Sequence, residues 1–282
     1  LSQNRTRNIS TVWIGFIMQQ AHDYLAEAAE LANVVNHLPD TIFDRTTLFK
    51  SWTINDVIGH LYMFDVAALK TLQSSEEFKS FYSHITKRLD QGMTLLESQY
   101  SFLGKLSGRR LFEVWQKNSG AVGLAYENAN PKKRLQWVGP DMSAISSITA
   151  RQMETWAHGQ EVFDVLGIIR PAHDRIRNIC HLGVATFGWS FENRHIPIPE
   201  HTPYVCLTAP SGKLWEWNAP NTTHSITGTA LAFAEVVTQV RNIEDTNIIA
   251  RGEIANQWMA IAQCFAGVPE NPPGKGTRVC SS

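Results

Sequence analysis

The chain has 282 residues, with 25 basic and 26 acidic side chains and a formal charge of -1. With 43% apolar and 18% charged residues it can bury a sizeable core, and its length exceeds the commonest single-domain size, so two domains are expected. The even charge balance, without a long run of like charges, argues against a nucleic-acid partner, and no apolar stretch is long enough to span a bilayer.

Arg5 and Arg7 precede the apolar Val12 to Met18, a loose imitation of a signal peptide. The run is short and no small-residue cleavage site follows, so residues 1–17 are expected to be an extension outside the fold. From Met18 to Leu38 the apolar Tyr24, Leu25, Ala28, Leu31, Ala32 and Val35 recur at helical spacing and predict a first amphipathic helix. Thr53 with Asp56 three positions later resembles a capping box and opens a second helix, about 54–71. Ser74 starts a mostly helical stretch to Leu103, with a break near Gly92, and a further helix covers about 110–128. Residues 129–143, punctuated by Pro131, Gly139 and Pro140, predict a loop or short extended segment. Helix resumes over 144–166 and Gly167 closes it; Pro171 is expected to open another helix over 172–194.

The texture then changes. Tyr204 to Thr208 and Leu214 to Trp217, separated by Pro210-Ser211-Gly212-Lys213, predict a β-hairpin. A strand at 224–229, a helix at 230–241, an extended piece at 247–251 and a helix at 254–265 complete a small α+β domain, followed by a Pro- and Gly-rich tail. The expected domains are therefore 18–170 and 171–282. Trp215 and Trp217 alternate onto one strand face, which suits a small core needing bulk better than a ligand cage. Cys180, Cys206, Cys264 and Cys280 show no close pairing, which implies a reducing, cytoplasmic setting.

Glu154 and His158 lie four apart on the 144–166 helix, so one helix face carries both side chains. His60, flanked by Val57, Ile58, Leu61 and Phe64, offers a third ligand from the inward face of the second helix. Asp56, one turn earlier, has two candidate duties: fixing the second ring nitrogen of His60, or capping the helix. Each residue alone also has a bland explanation, His60 as a satisfied core histidine and Glu154 with His158 as a solvated helical pair. Spacing leaves both readings open.

Trp52-Thr53-Ile54-Asn55-Asp56-Val57-Ile58-Gly59-His60-Leu61 resembles the second-helix motif of the DinB-like superfamily. Trp137-Val138-Gly139-Pro140-Asp141-Met142-Ser143 with Ala150-Arg151-Gln152-Met153-Glu154-Thr155-Trp156-Ala157-His158-Gly159-Gln160 is similar to its mycothiol-dependent maleylpyruvate isomerase N-terminal domain branch. The resemblance covers roughly Met18 to Leu166 and implies an up-and-down helical bundle within a mainly α fold. The remainder resembles a small sterol-carrier-like α+β domain, sometimes labelled a wyosine-base-formation domain. The resemblance further implies a divalent metal, zinc in that branch, on His60, Glu154 and His158, and an arginine from the C-terminal domain near it, for which Arg241 is the candidate by context. DinB-like bundles are frequently dimers, and a homodimer is among the expectations, although no feature of this sequence decides it.

Three protein ligands leave a fourth position open, as in catalytic rather than structural zinc sites. A thiol held by a dication is deprotonated, so a low-molecular-weight thiol as cosubstrate and thiol transfer or thiol-assisted isomerisation of a small molecule are expected. The alternatives are a hydrolase that activates water and a non-enzymatic binder of a small ligand.

Overall fold

A computed structural model describes residues 17–278, so the expectation of an N-terminal extension falls, Ile17 apart, outside the described residues. The chain is mainly α with a small α+β C-terminal region, as the sequence predicts. Four long helices, α1 (Gln19–Asn36), α2 (Ile54–Gln73), α5 (Gly108–Glu127) and α6 (Ala144–Leu166), pack α1 and α2 each against α5 and α6. Between α2 and α5 run α3 (Ser75–Asp90) and α4 (Leu95–Leu103), both packed on α2. The expected break near Gly92 is real: Gly92 has φ +83°, and Thr94 starts α4 with its own capping box to Glu97. In the 129–143 segment, β1 (Arg134–Leu135) pairs antiparallel with β2 (Met142–Ser143) and leads into α6.

The C-terminal part carries α7 (Arg177–Ala185), α8 (Phe187–Glu192), α9 (Ala230–Val237) and α10 (Glu253–Ile261) around a four-stranded sheet. Its order is β4 (Leu214–Trp217), β3 (Tyr204–Thr208), β5 (Ser225–Thr229), β6 (Ile249–Arg251), with β3 and β5 parallel and the other pairs antiparallel. Trp215 and Trp217 pair with Leu207 and Val205; Trp215 is buried in the core and Trp217 packs edge-on against it.

The single helix expected over 172–194 is corrected. Pro171 lies in an extended segment, a 3-10 turn covers Asp174–Ile176, and Thr186 separates α7 from α8. Its hydroxyl donates back to the carbonyls of Leu182 and Gly183, the competition with the helical ladder that threonine is prone to. The helices expected to reach 241 and 265 stop earlier, at Val237 and Ile261. Gln239 turns left-handed (φ +58°), and the strand-like segment after α10 returns Cys264 N–H to the Val237 carbonyl.

What positions the site is α6, which serves two cores. Val162 and Phe163 join α1, α2 and α5 in the bundle interior, whereas Met153 and Trp156 join the core of the C-terminal part. Ser143 caps its N-terminus, and Gly167, left-handed at φ +67°, ends it with bonds from Gly167 and Ile168 N–H to Asp164 and Phe163.

A candidate metal centre between two helices

On α2, Thr53 Oγ1 accepts from Asp56 N–H, and Asp56 Oδ2 accepts from Thr53 N–H at 2.9 Å and from its hydroxyl at 2.7 Å. That box fixes the first turn, and His60 emerges one turn later, nearly buried. The Asp56 carboxylate is thus committed to capping, and His60 Nδ1 has no hydrogen-bond partner among the described residues. The bond from Asp56 to His60 that sequence reasoning entertained is absent, because the two donors of Thr53 capture the carboxylate first.

Glu154 and His158 leave α6 on one face and meet His60. Glu154 Oε2 lies 3.5 Å from His60 Nε2 and 3.4 Å from His158 Nε2, and the three donor atoms fall within 4.8 Å of one another. Two ligands at about 2.1 Å from a tetrahedral zinc are separated by about 3.4 Å, so these contacts have the length of a tetrahedron edge. Imidazole, carboxylate and imidazole form a donor set that zinc accepts, and the distance of the carboxylate oxygen from each ring nitrogen fits it.

Burial pushes His60 down to about 4, against the opposing pull of Glu154, so at neutral pH its ring is uncharged and its lone pair is available. Burial alone would raise Glu154; the His158 and His60 rings facing it outweigh burial and hold the carboxyl well below the usual carboxylate range.

Aromatic rings wall the group. Trp52 stacks on His158, 6.0 Å between centroids and 9° between planes, Phe49 meets the same ring edge-on at 5.0 Å, and Phe64 lies 4.8 Å from His60. Trp137 extends the wall behind Phe64. Phe49 and Trp52 are aimed by a tight loop in which Thr47 N–H and Oγ1 both donate to the Trp52 carbonyl and Trp52 N–H to that of Phe49. Lys50 and Ser51 at its tip are left-handed at φ +49° and +58°, a strain of about 1 kcal/mol or more each. Sequence reasoning did not find Phe49, because a ring on an irregular loop carries no periodicity.

The C-terminal part closes one side. Arg278 donates to Glu161 Oε1 at 3.1 Å and to the Gln239 carbonyl, and its guanidinium lies 4.9 Å from the Phe49 ring; Lys50 pairs with Glu270 at 2.7 Å. Arg241 is placed differently. It grips Asp164 through both Nη atoms at 2.7 Å, and Gln160 donates to the same carboxylate. The three candidate ligands are brought together; Arg241 is held in a neighbouring buried ion pair, two turns along α6.

Glu235 sits beside that pair. Burial raises it to about 7, with Arg241 opposing and Asp164 reinforcing the shift. A carboxyl whose folded value exceeds the unfolded one adds stability below about 4.5 and loses it as pH rises through about 7. Glu235→Gln is therefore expected to flatten the fall in unfolding free energy across that window, a fall of at most about 3 kcal/mol, in denaturant titrations at stepped pH. An unchanged slope would sink this assignment.

The model of the mycothiol maleylpyruvate isomerase N-terminal domain matches residues 24–163. Two uncharacterised proteins from two strains of Mycobacterium tuberculosis are each 36% identical over 254 residues, covering 90% of this chain and 96% of theirs. The chain belongs to the mycothiol maleylpyruvate isomerase N-terminal domain family. Crystal structures of the mycothiol-dependent maleylpyruvate isomerase and of a mutant of it superpose with a TM-score of 0.55, over 83% of this chain and 92% of theirs, at 10% identity. At that identity the likeness shows a shared fold alone. His60, Glu154 and His158 all fall within the matched family segment, whereas Arg241 and Arg278 lie beyond it.

Proposed function

We propose that the chain is a zinc-dependent enzyme that works with a low-molecular-weight thiol, isomerising or transferring on a small molecule. The observation that carries this reading is the meeting of one carboxylate and two imidazole nitrogens on two helices, with the carboxylate oxygen at tetrahedral-edge distance from each ring nitrogen. His60, Glu154 and His158 are the proposed ligands, all in the 18–170 bundle; 171–282 is the proposed second domain. When bound, the ion would act as a Lewis acid and favour the thiolate form of a thiol brought to it.

The chain's own residues supply the rest. His60 offers an uncharged ring nitrogen and Glu154 a negative charge to set against the two of the ion. Phe49, Trp52 and Phe64 keep water from the histidine rings, which strengthens every electrostatic contact inside. Among the described residues only these three His, Cys, Asp or Glu side chains cluster in this way, which leaves a tetrahedral ion one free position. The thiol requirement draws support from the isomerase of similar fold, which is mycothiol-dependent. No helix of the described residues is long and apolar enough to cross a membrane, and Cys180, Cys206 and Cys264 are free, which suits the reducing cytoplasm we assign.

The test uses tag-free protein loaded with Co2+ in place of zinc. Adding mycothiol or another cysteine-derived thiol is expected to produce a thiolate-to-cobalt charge-transfer band, and Glu154→Gln to weaken that band together with metal affinity. Stoichiometric metal without any thiol band would turn the reading to the hydrolase; absence of metal would leave a ligand-binding bundle.

A further inference from the structure

Behind the ligands, in the bundle interior, lies a charged triad that the proposed chemistry does not use. Arg151 of α6 donates from Nε to Asp65 Oδ1 of α2 at 2.9 Å, and Tyr24 of α1 donates from its hydroxyl to Asp65 Oδ2 at 2.8 Å. Asp65 and Tyr24 are fully buried and Arg151 is 2% exposed. Arg151 also donates from Nη2 to the Leu61 carbonyl at 3.3 Å.

The placement in the chain gives these bonds their meaning. Leu61 directly follows His60, and Arg151 precedes Glu154 by three residues, less than one turn. The guanidinium therefore fastens the turn of α6 that carries Glu154 to the turn of α2 that carries His60, and Tyr24 ties α1 to the same carboxylate. A second tie lies further along: Tyr126 of α5 donates to the Ala68 carbonyl of α2 or shares its proton with Ser147 of α6. A buried ion pair is seldom worth more to stability than well-packed apolar side chains of the same volume. What an apolar replacement cannot supply is directional bonds that fix how far α2 stands from α6 and at what rotation.

We propose that Arg151, held by Asp65 and Tyr24, is a positioning residue that sets the distance and orientation of His60 relative to Glu154 for metal binding. This rests on the metal reading above. Outer partners that orient ligands typically change metal affinity about 10- to 100-fold when removed.

The experiment replaces the pair by apolar residues, Arg151→Met with Asp65→Leu, in the full chain without a tag. Three quantities are read: thermal unfolding of the metal-free protein, Zn2+ affinity by competition with a chromophoric chelator, and the ligand-field absorption of the Co2+ form. The expected result is a folded protein whose Zn2+ affinity is down about 10- to 100-fold and whose cobalt bands are altered in position and intensity. A folded double variant with wild-type affinity and wild-type bands overturns the proposal, since the triad would then be structural only. If the double variant does not fold, Tyr24→Phe decides. It removes one hydroxyl, and a several-fold loss of affinity with shifted cobalt bands is expected; no change in either overturns the proposal. Wild-type protein that takes up neither Zn2+ nor Co2+ would sink the metal reading itself, a failure distinct from that of the positioning role.

Discussion

Changing His158 to alanine is expected to strip the protein of zinc while leaving it folded. Among the described residues only three side chains converge, so the variant keeps two donors and opens the site to water on the side where the His158 ring now stacks on Trp52. Apparent zinc binding in four-ligand protein sites is worth about 10–16 kcal/mol, so one ligand accounts for roughly 3 kcal/mol, or more than a hundredfold in Kd. His158 belongs to neither apolar cluster of the bundle nor to the core of the C-terminal part, and its loss is expected to change the stability of the metal-free protein by no more than about 2 kcal/mol. Two measurements check this on protein purified without a histidine tag. Mass-spectrometric metal analysis should find near-stoichiometric zinc in the wild type and little in the variant. Added zinc should raise the wild-type Tm, by mass action on the folded state, and leave that of the variant unmoved. A variant that retains stoichiometric zinc would remove His158 from the ligand set.

The pairing of Glu154 with His158 is legible from the sequence because it depends only on helical spacing, and α6 is long, Ser-capped and closed by a glycine. His60 is legible for a related reason: its neighbours Val57, Ile58, Leu61 and Phe64 mark the inward face of a helix whose start is fixed by a capping box. That the three meet is a property of how α2 and α6 pack, and spacing within either helix is silent about it; the family resemblance supplied that step. Other parts of the site depend on contacts across long stretches of chain. Phe49 reaches His158 through a loop with two left-handed residues that are not glycine, a conformation that no local signal announces. Arg278, in the Pro- and Gly-rich tail, packs on Glu161 and Phe49, contacts that its place in the sequence does not announce. Asp56 had two duties open to it in the sequence, and hydrogen-bond geometry at the helix start gave it to capping. The break between α7 and α8 falls at Thr186, whose back-bonding hydroxyl competes with the helical ladder, a competition that residue type alone does not announce.

Arg241→Ala is expected to destabilise the protein by about 3–5 kcal/mol, because the guanidinium is the charged partner of a carboxylate that has almost no contact with water. Asp164 is 1% exposed, and both its oxygens accept from Arg241 at 2.7 Å. After the substitution only Gln160 remains, among the described residues, as a hydrogen-bond donor to it, a neutral group facing a buried carboxylate. The pair also joins α6 to the segment after α9, so its rupture loosens the contact between the bundle and the C-terminal part near the three candidate ligands. The double variant Arg241→Met, Asp164→Leu removes both charges together and is expected to recover most of the loss, since an uncompensated charge, not a missing attraction, causes it. Urea titrations of wild type, single and double variants measure this directly. The same series separates structure from chemistry at Arg241. If its guanidinium acts on a substrate carboxylate or on the reacting atoms, the double variant will be stable, carry zinc and be inactive. If it serves to hold α6, activity will return with stability. A single variant with unchanged stability would contradict the bidentate pair itself and free Arg241 for the place near the metal that the family resemblance implies.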